Sequence, residues 1–154
     1  MKALKVSDNT FFIRLEEGED IFQTVSTFII NHNIVSGEIR GIGSLKQYSL
    51  GYYDGEKYLA NSEKEHVELV SLQGNISLKD GSPFPHMHAI ISKKDGSCKG
   101  GHVMENNIVS YVVELIITEF KEKVYRKEDE KTGLSLWDLP AEQLTTTKKL
   151  DEWA

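Results

Sequence analysis

Three of the five histidines lie between Phe84 and Met104, where their spacing would allow them to bind one metal ion. His86 and His88 are two residues apart, and residues at that spacing project from the same face of a β-strand. Neutral imidazole is the commonest metal ligand and suits zinc, nickel, copper or iron. Three histidines with an open coordination position are typical of a catalytic or ligand-accepting site, so His86, His88 and His102 are the predicted metal ligands.

The position of His102 relative to the other two depends on the turn between the strands. The sequence KKDGS contains an Asp-Gly dipeptide, which favours a hairpin because glycine adopts a positive φ without steric cost. A three-residue loop at 94–96 would place His88 opposite His102, with all three rings on one face. A two-residue turn would place Ala89 opposite His102 and send that ring to the other face. A bulge at glycines 100–101 would restore the shared face, so both turns remain open.

Two glutamates are possible neighbours of this site. Glu68 lies in a predicted strand, where a carboxylate either faces water or turns towards a charge such as a metal ion. Glu114 interrupts the most apolar run of the chain, and a buried carboxylate there would need a partner. Three other residues that could bind metal are given ordinary roles. Cys98 is interpreted as a strand residue, His32 as a helix-terminal residue and His66 as a surface strand residue.

The rest of the chain must supply the elements that hold the histidines in place. Apolar residues at helical spacing predict a helix over GEDIFQTVSTFIINHN, with a buried face made of Ile21, Val25, Phe28 and Ile29. Strands are predicted at Phe11 to Leu15 and from Ile34 to Leu50, where three glycines indicate a bulge or the close approach of another backbone. Further strands border a turn at Asp54 and Gly55.

Later segments complete the predicted sheet. The strand VELVSLQGNISLK is expected to bend at Gly74 and Asn75, and NNIVSYVVELIITEF is expected to be a buried strand. The segment KVYRKEDEKTGLSLWDLP has the pattern of a hairpin with Gly133 in its turn. About seven strands and one helix predict an α+β fold with a central antiparallel β-sheet and the helix packed on it.

Composition is that of an ordinary soluble globular domain. The chain has 154 residues, of which 39% are apolar and 27% charged. We expect a single domain over residues 1–140 and a polar C-terminal tail or short helix over 141–154. No stretch approaches the roughly 20 apolar residues that span a bilayer. The N-terminal segment has no apolar signal core and the chain has one cysteine, so a cytoplasmic location is expected.

The charge of the chain argues against independent binding to nucleic acid. The formal net charge is −6, and only three arginines occur: Arg14, Arg40 and Arg126. Lysine and arginine side chains that neutralise phosphates supply most non-specific affinity for DNA, so DNA-binding domains usually carry a basic patch. A basic surface formed by assembly would be needed here.

Five segments carry a recognisable pattern: GIGSLKQYSLGYYD, VELVSLQGNIS, PFPHMHAIIS, GGHVMENNIVSYVVE and YRKEDEKTGLSLWDL. In this order they resemble the PPC family, the plants and prokaryotes conserved domain. The resemblance implies an α+β fold with a central antiparallel sheet, stand-alone domains that form a homotrimer, and a relation in fold to acetolactate decarboxylase, which holds zinc through histidines on a comparable hairpin. The family's histidine motif carries over to His86, His88 and His102, and zinc is the expected ion.

The resemblance is compatible with functions of different classes. Our first hypothesis is a metal-binding homotrimer whose three histidines present a divalent ion to water or a small ligand. The alternative is a DNA-binding or transcription-related interaction module in which the metal is structural, since family members often carry a DNA-binding label. The plant members, however, join the domain to an AT-hook, a motif that this sequence lacks. A third hypothesis is a vestigial site on a trimer that scaffolds other proteins. No catalytic residue of the decarboxylase carries over, so that enzyme's activity is not assigned, and hydrolysis, decarboxylation and ligand sensing all fit the metal site.

Overall fold

Ten strands and one helix form within residues 1–141, the part of the chain that the computed structural model describes. In chain order they are β1 (Lys2–Ser7), β2 (Thr10–Glu16), α1 (Ile21–Asn31), β3 (Gly37–Tyr53), β4 (Tyr58–Glu63), β5 (Val67–Lys79), β6 (Ser82–Ser92), β7 (Cys98–Val103), β8 (Ile108–Glu119), β9 (Arg126–Glu128) and β10 (Ser135–Trp137). The predicted tail lies outside the described residues, apart from Ala141. Within them, no helix is long and apolar enough to cross a bilayer.

The helix forms where its apolar periodicity predicts, and its four expected core residues are all buried. Asp20 is the N-cap, and its Oδ1 accepts a hydrogen bond of 2.9 Å from the amide of Gln23. The other oxygen of the same carboxylate accepts from the amides of Asn106 and Asn107, at 2.6 and 3.1 Å. One side chain therefore begins the helix and ties it to the loop before β8. His32 is the C-cap, as predicted.

Eight strands form one antiparallel sheet in the order β1-β2-β8-β3-β5-β6-β7, and β4 pairs with the end of β3. β7 pairs with β6 on one side and with the last part of β3 on the other, through Leu50–Val103 and Gly51–His102. Strands β3, β5, β6 and β7 therefore close into a ring. The predicted α+β fold, a mostly antiparallel sheet with one helix, is confirmed.

The two faces of the sheet have different roles. Alternate residues of each central strand enter one apolar core, which also receives the buried face of α1. On β6 the core residues are Pro85, Met87, Ala89 and Ile91. The side chains of His86 and His88 alternate with them and therefore lie on the opposite face. Burial of the core residues fixes the strand and leaves the histidine face free for chemistry.

β1 and β5 differ from the prediction. β1 is not predicted from the sequence, because all six of its residues are exposed and no burial requirement shapes them. β5 continues through Gly74 without the expected bend. A Cβ at Gly74 would lie 2.5 Å from the carbonyl oxygen of His86, so this glycine allows β6 to approach β5 closely.

β8 also differs from the prediction, because it is buried on one face only. Val109, Val113 and Leu115 enter the core, while Tyr111 and Glu114 are exposed. The expectation of a wholly buried strand is therefore wrong. Glu114 is not a buried carboxylate and has no need of a buried partner.

The C-terminal hairpin forms as predicted, with Gly133 at φ +66° in its turn. It packs beside β5 because the amide of Leu78 donates a 2.8 Å hydrogen bond to the carbonyl oxygen of Val124. This contact brings the first residue of β9, Arg126, towards the histidine face.

Candidate metal centre

The turn between β6 and β7 is the three-residue alternative. The amide of Lys93 donates to the carbonyl oxygen of Ser97 at 2.9 Å, and Gly96 has a φ of +83°. Asp95 stabilises the turn, because its Oδ1 accepts hydrogen bonds from the amide and the hydroxyl of Ser97, at 2.9 and 2.6 Å. The resulting register places His88 opposite His102.

No bulge forms at the glycine doublet before His102, because the register is continuous from Ser92–Cys98 to His88–His102. Gly101 has another role. A Cβ at this position would lie 2.7 Å from the carbonyl oxygen of Gly51 on β3. The glycine therefore allows β7 to pack against β3, and it closes the ring of strands at His102.

The three imidazole rings form a nearly equilateral triangle. Their centroids are 5.2 Å apart for His86 and His88, 5.1 Å for His86 and His102, and 5.4 Å for His88 and His102. One ring nitrogen from each histidine lies within 4.8 Å of the other two. Tetrahedral zinc with bonds of 2.0–2.1 Å needs nitrogens about 3.3 Å apart, so modest side-chain rotations would bring this set onto an ion.

His102 supplies an independent test of whether the residues fit a metal. Its Nδ1 is buried and has no hydrogen-bond partner among the described residues. Nearly all buried polar side-chain atoms in proteins have a partner, and leaving one without a partner costs about 1–3 kcal/mol. A ring nitrogen without a partner inside a three-histidine cluster fits a site for an ion.

The protonation state of the cluster also suits a metal. Burial, and after it the neighbouring charges of His102, Arg126 and His88, together lower the pKa of His86 to about 4. The pKa of His102 is lowered mainly by burial and then by His88 and Arg126. Both rings are therefore neutral near pH 7, and a neutral ring offers a lone pair to a metal.

Arg126 and Tyr58 border the cluster, and neither is predicted as a site residue. Nη2 of Arg126 lies 3.4 Å from Nδ1 of His86, and the ring of Tyr58 lies 4.9 Å from that of His102. Arg126 is 40 positions along the chain from His86 and reaches it through the packing of the C-terminal hairpin on β5. The periodicity of the sequence does not predict contacts between side chains that are so far apart along the chain.

Neither predicted glutamate neighbour is part of the cluster within one chain. Glu68 is exposed and pairs with Ser92, four residues along β6 from His88. Glu114 lies on β8, which β3 and β5 separate from β6. The cluster itself consists of histidines alone.

The other candidate ligands also lie outside it. Cys98 is an exposed strand residue at the start of β7, as interpreted from the sequence. His66 is exposed just before β5, and its Nδ1 lies 2.9 Å from Oγ of Ser110. The ring of His32 packs against Phe28, with the two centroids 4.2 Å apart.

Several solved structures resemble this fold. A plant- and prokaryote-conserved protein from Pyrococcus horikoshii is 34% identical, with a TM-score of 0.77 over 91% of this chain and 95% of that one. A metal-containing protein from Archaeoglobus fulgidus is 33% identical, with a TM-score of 0.77 over 87% of this chain and 99% of that one. A protein from Bacteroides thetaiotaomicron, named as a candidate DNA-binding protein, is 24% identical and shares the fold, with a TM-score of 0.85 over 89% and 96% of the two chains.

A more distant likeness agrees with the expected relation in fold to acetolactate decarboxylase. A Staphylococcus aureus protein described as similar to that enzyme shares the fold at 15% identity, with a TM-score of 0.51 over 79% of this chain and 54% of that one. A search of curated protein sequences gave no significant match. The sequence model of the Plants and Prokaryotes Conserved domain, abbreviated PCC or PPC, matches residues 4–121. The chain therefore belongs to the Plants and Prokaryotes Conserved domain family.

Proposed function

We propose that this protein is a homotrimeric metal-binding domain in which His86, His88 and His102 hold one divalent ion, zinc. The observation that carries the proposal is the convergence of three ring nitrogens to within 4.8 Å on the face of the sheet away from the core. The unpartnered Nδ1 of His102 and the neutral state of two of the rings support it. The metal-containing relative from Archaeoglobus fulgidus adds further support.

An ion held by three neutral histidines keeps an open position for water or a small ligand. When bound, it would polarise an oxygen of that ligand or lower the pKa of a coordinated water towards about 7. This chain's own residues would orient the ion and border the open position: Tyr58 beside His102 and Arg126 beside His86. The expected location is the cytoplasm, where the exposed thiol of Cys98 would stay reduced.

An exposed apolar area on the histidine face supports the trimer. A groove of about 1,110 Å³ runs across β1, β2, β8, β3 and β5, and its lining combines the apolar side chains of Phe12 and Ile42 with charged ones such as Arg40 and Glu114. The two apolar side chains are 50% and 59% exposed in the single chain. Contiguous exposed apolar areas on a soluble protein usually mark an interaction site, and a second copy of the chain would cover this one.

Metal content is the direct test of the proposal. We expect about one divalent ion per chain in purified protein without a histidine tag, and we expect His88→Ala to lose most of it because one of three ligands is removed. Elemental analysis measures the content, with His86→Ala and His102→Ala alongside. His66→Ala is the matched control, because His66 is exposed and outside the cluster. Unchanged metal in His88→Ala would refute the site.

The second candidate function is a DNA-binding or transcription-related module in which the metal braces the fold. Its support is the DNA-binding name of the Bacteroides thetaiotaomicron protein, and the net charge of −6 weighs against it. Duplex binding by the assembled protein that weakens steeply with added salt would favour this candidate over a small-molecule site.

A further inference from the structure

Arg126 brings a positive charge to the edge of the histidine cluster without an acidic partner. Its guanidinium donates to Oγ of Ser77 at 2.7 Å, to Oδ1 of Asn75 at 2.8 Å and to the carbonyl oxygen of Ser135 at 2.7 Å. Its fourth contact is the 3.4 Å approach to Nδ1 of His86. All four partners are neutral. In the part of the chain that the structure describes, no carboxylate forms an ion pair with Arg126.

A second cation, Lys79, lies further along the same face, opposite Ser82 and four residues along β6 from His86. The guanidinium carbon of Arg126 is 5.8 Å from the centroid of the Phe84 ring, and Nζ of Lys79 is 5.1 Å from that centroid. Phe84 precedes His86 by two residues on β6, so its ring lies on the histidine face. Lys79 also forms no ion pair among residues 1–141. Of these two cations, Arg126 is the one that contacts the cluster, and no acidic partner among the described residues offsets its charge.

Loading the cluster with a divalent ion would increase this imbalance. Imidazole ligands contribute no negative charge, so the ion and the guanidinium would place three positive charges together at a partly buried site. Charges removed from water are costly unless an opposite charge is paired with them. Within the described chain no carboxylate belongs to the cluster or forms an ion pair with Arg126. The missing negative charge must then come from outside the chain.

We propose that the ligand of the metal centre is a small-molecule oxyanion, which binds the ion through one oxygen and Arg126 through another. This inference rests on the proposed metal-binding function. The guanidinium can donate a charge-assisted hydrogen bond to one oxygen of a carboxylate or phosphate group, and the ion has an open position for another. Ser77, Asn75 and Ser135 hold the guanidinium in place, so little side-chain entropy is lost when the anion binds.

Arg126 also joins β9 to β5, and the test must separate this bracing role from anion binding. We would load tag-free protein with Co²⁺ and follow its visible spectrum during titration with acetate and, separately, with inorganic phosphate. Ionic strength is held constant with chloride. We expect saturable spectral changes, and the anion that binds more tightly identifies the ligand as a carboxylate or a phosphate compound.

The variant Arg126→Gln is expected to bind Co²⁺ at the same ratio and the preferred oxyanion at least about tenfold more weakly, because one charge-assisted contact is lost. Lys127→Gln is the matched control: it removes the same charge from the next residue of the strand, which is exposed. If Arg126→Gln loses its near-ultraviolet circular dichroism, Arg126→Lys replaces it. That variant keeps the charge without the planar fork, and it too is expected to bind the oxyanion more weakly.

The outcomes distinguish this inference from the function on which it rests. Failure of the unmodified protein to bind Co²⁺ would overturn the proposed metal site. Stoichiometric Co²⁺ with no response to either oxyanion would overturn the ligand class and leave the metal site standing. An oxyanion response of equal affinity in the folded Arg126 variant would show that Arg126 only braces the hairpin.

Discussion

At the scale of single residues, His86 links the candidate site to the stability of the metal-free protein. Its pKa is about 4 in the folded chain, against an ordinary value of 6.5. Between these values the unfolded chain binds more protons than the folded chain does, so protonation favours unfolding there. The contribution of His86 to stability is therefore complete above pH 6.5 and is lost as the pH falls towards 4.

We accordingly expect metal-free protein to lose unfolding free energy between pH 7 and pH 5, and His86→Gln to lose less over the same interval. Urea unfolding curves at the two pH values measure both changes. The measurements stay above pH 5 because Glu63 would also affect stability at lower pH. The hydrogen bond from Lys93, and then that from Lys99, lower the pKa of Glu63 to about 2. Its contribution to the unfolding free energy is therefore lost as the pH falls below the ordinary pKa of 4.5. An equal pH dependence in the two proteins would contradict the assignment to His86.

Residue types and short spacings were sufficient to predict the three clustered histidines. His86 and His88 share a face because of their two-residue spacing. The Asp-Gly dipeptide predicted a hairpin, and one of its two possible turns places His102 opposite His88, as the structure does. Arg126 escaped prediction because its contact depends on how one hairpin packs against another part of the sheet. Glu68 and Glu114 were singled out as carboxylates within predicted strands, and strand pairing places them apart from the cluster within one chain.

At the scale of elements, the position of His102 depends on how closely β7 approaches β3. A Cβ added at Gly101 would meet the backbone oxygen of Gly51 at 2.7 Å and Cβ of Leu50 at 3.2 Å. The backbone atom has no side-chain freedom to move away, so β7 would have to shift. His102 is the next residue and would shift with it.

We expect Gly101→Ala to lower stability by about 1–3 kcal/mol, as other overpacked cores do, and to weaken metal binding. Thermal unfolding and competition with a metal-chelating dye measure the two effects. Gly100→Ala is the matched control, because its nearest contact, the carbonyl oxygen of Ala89, would be 3.3 Å away. Equal effects of the two variants on metal binding would rule out the close approach at Gly101 as the cause.

The prediction of helices and strands succeeded where the residues of a single chain segment determine its secondary structure. The helix followed from four apolar residues at helical spacing. The sequence did not distinguish the two possible turns after β6, because the Asp-Gly dipeptide fits both. In the structure, the hydrogen bonds from Ser97 to Asp95 stabilise the three-residue turn. The predicted bend at Gly74 is wrong. A glycine that bends a strand and a glycine that allows a neighbouring strand to approach closely cannot be distinguished in the sequence.

At the scale of the whole molecule, the exposed apolar groove is expected to close on assembly. In solution we expect a particle of about 52 kDa, three times the chain mass of 17.4 kDa. Phe12→Asp should shift the mass towards that of one chain, because it places a charge in the groove without entering the core. Light scattering coupled to gel filtration gives the masses.

Ile30→Asp is the control for this experiment, since Ile30 is 53% exposed on the helix, away from the groove. A single-chain mass for the unmodified protein would contradict the trimer. A trimer that persists in Phe12→Asp would place the interface elsewhere.

The ring formed by β3, β5, β6 and β7 has a consequence for the kinetics of metal uptake. β7 is hydrogen-bonded on both sides near His102, so local fraying at one border leaves the strand attached at the other. The backbone amides of β7 should accordingly exchange their hydrogens slowly even before an ion is present. A metal ion would then enter a site that is already built, and we expect the rate of its capture to be set by the loss of water from the ion rather than by refolding of the chain.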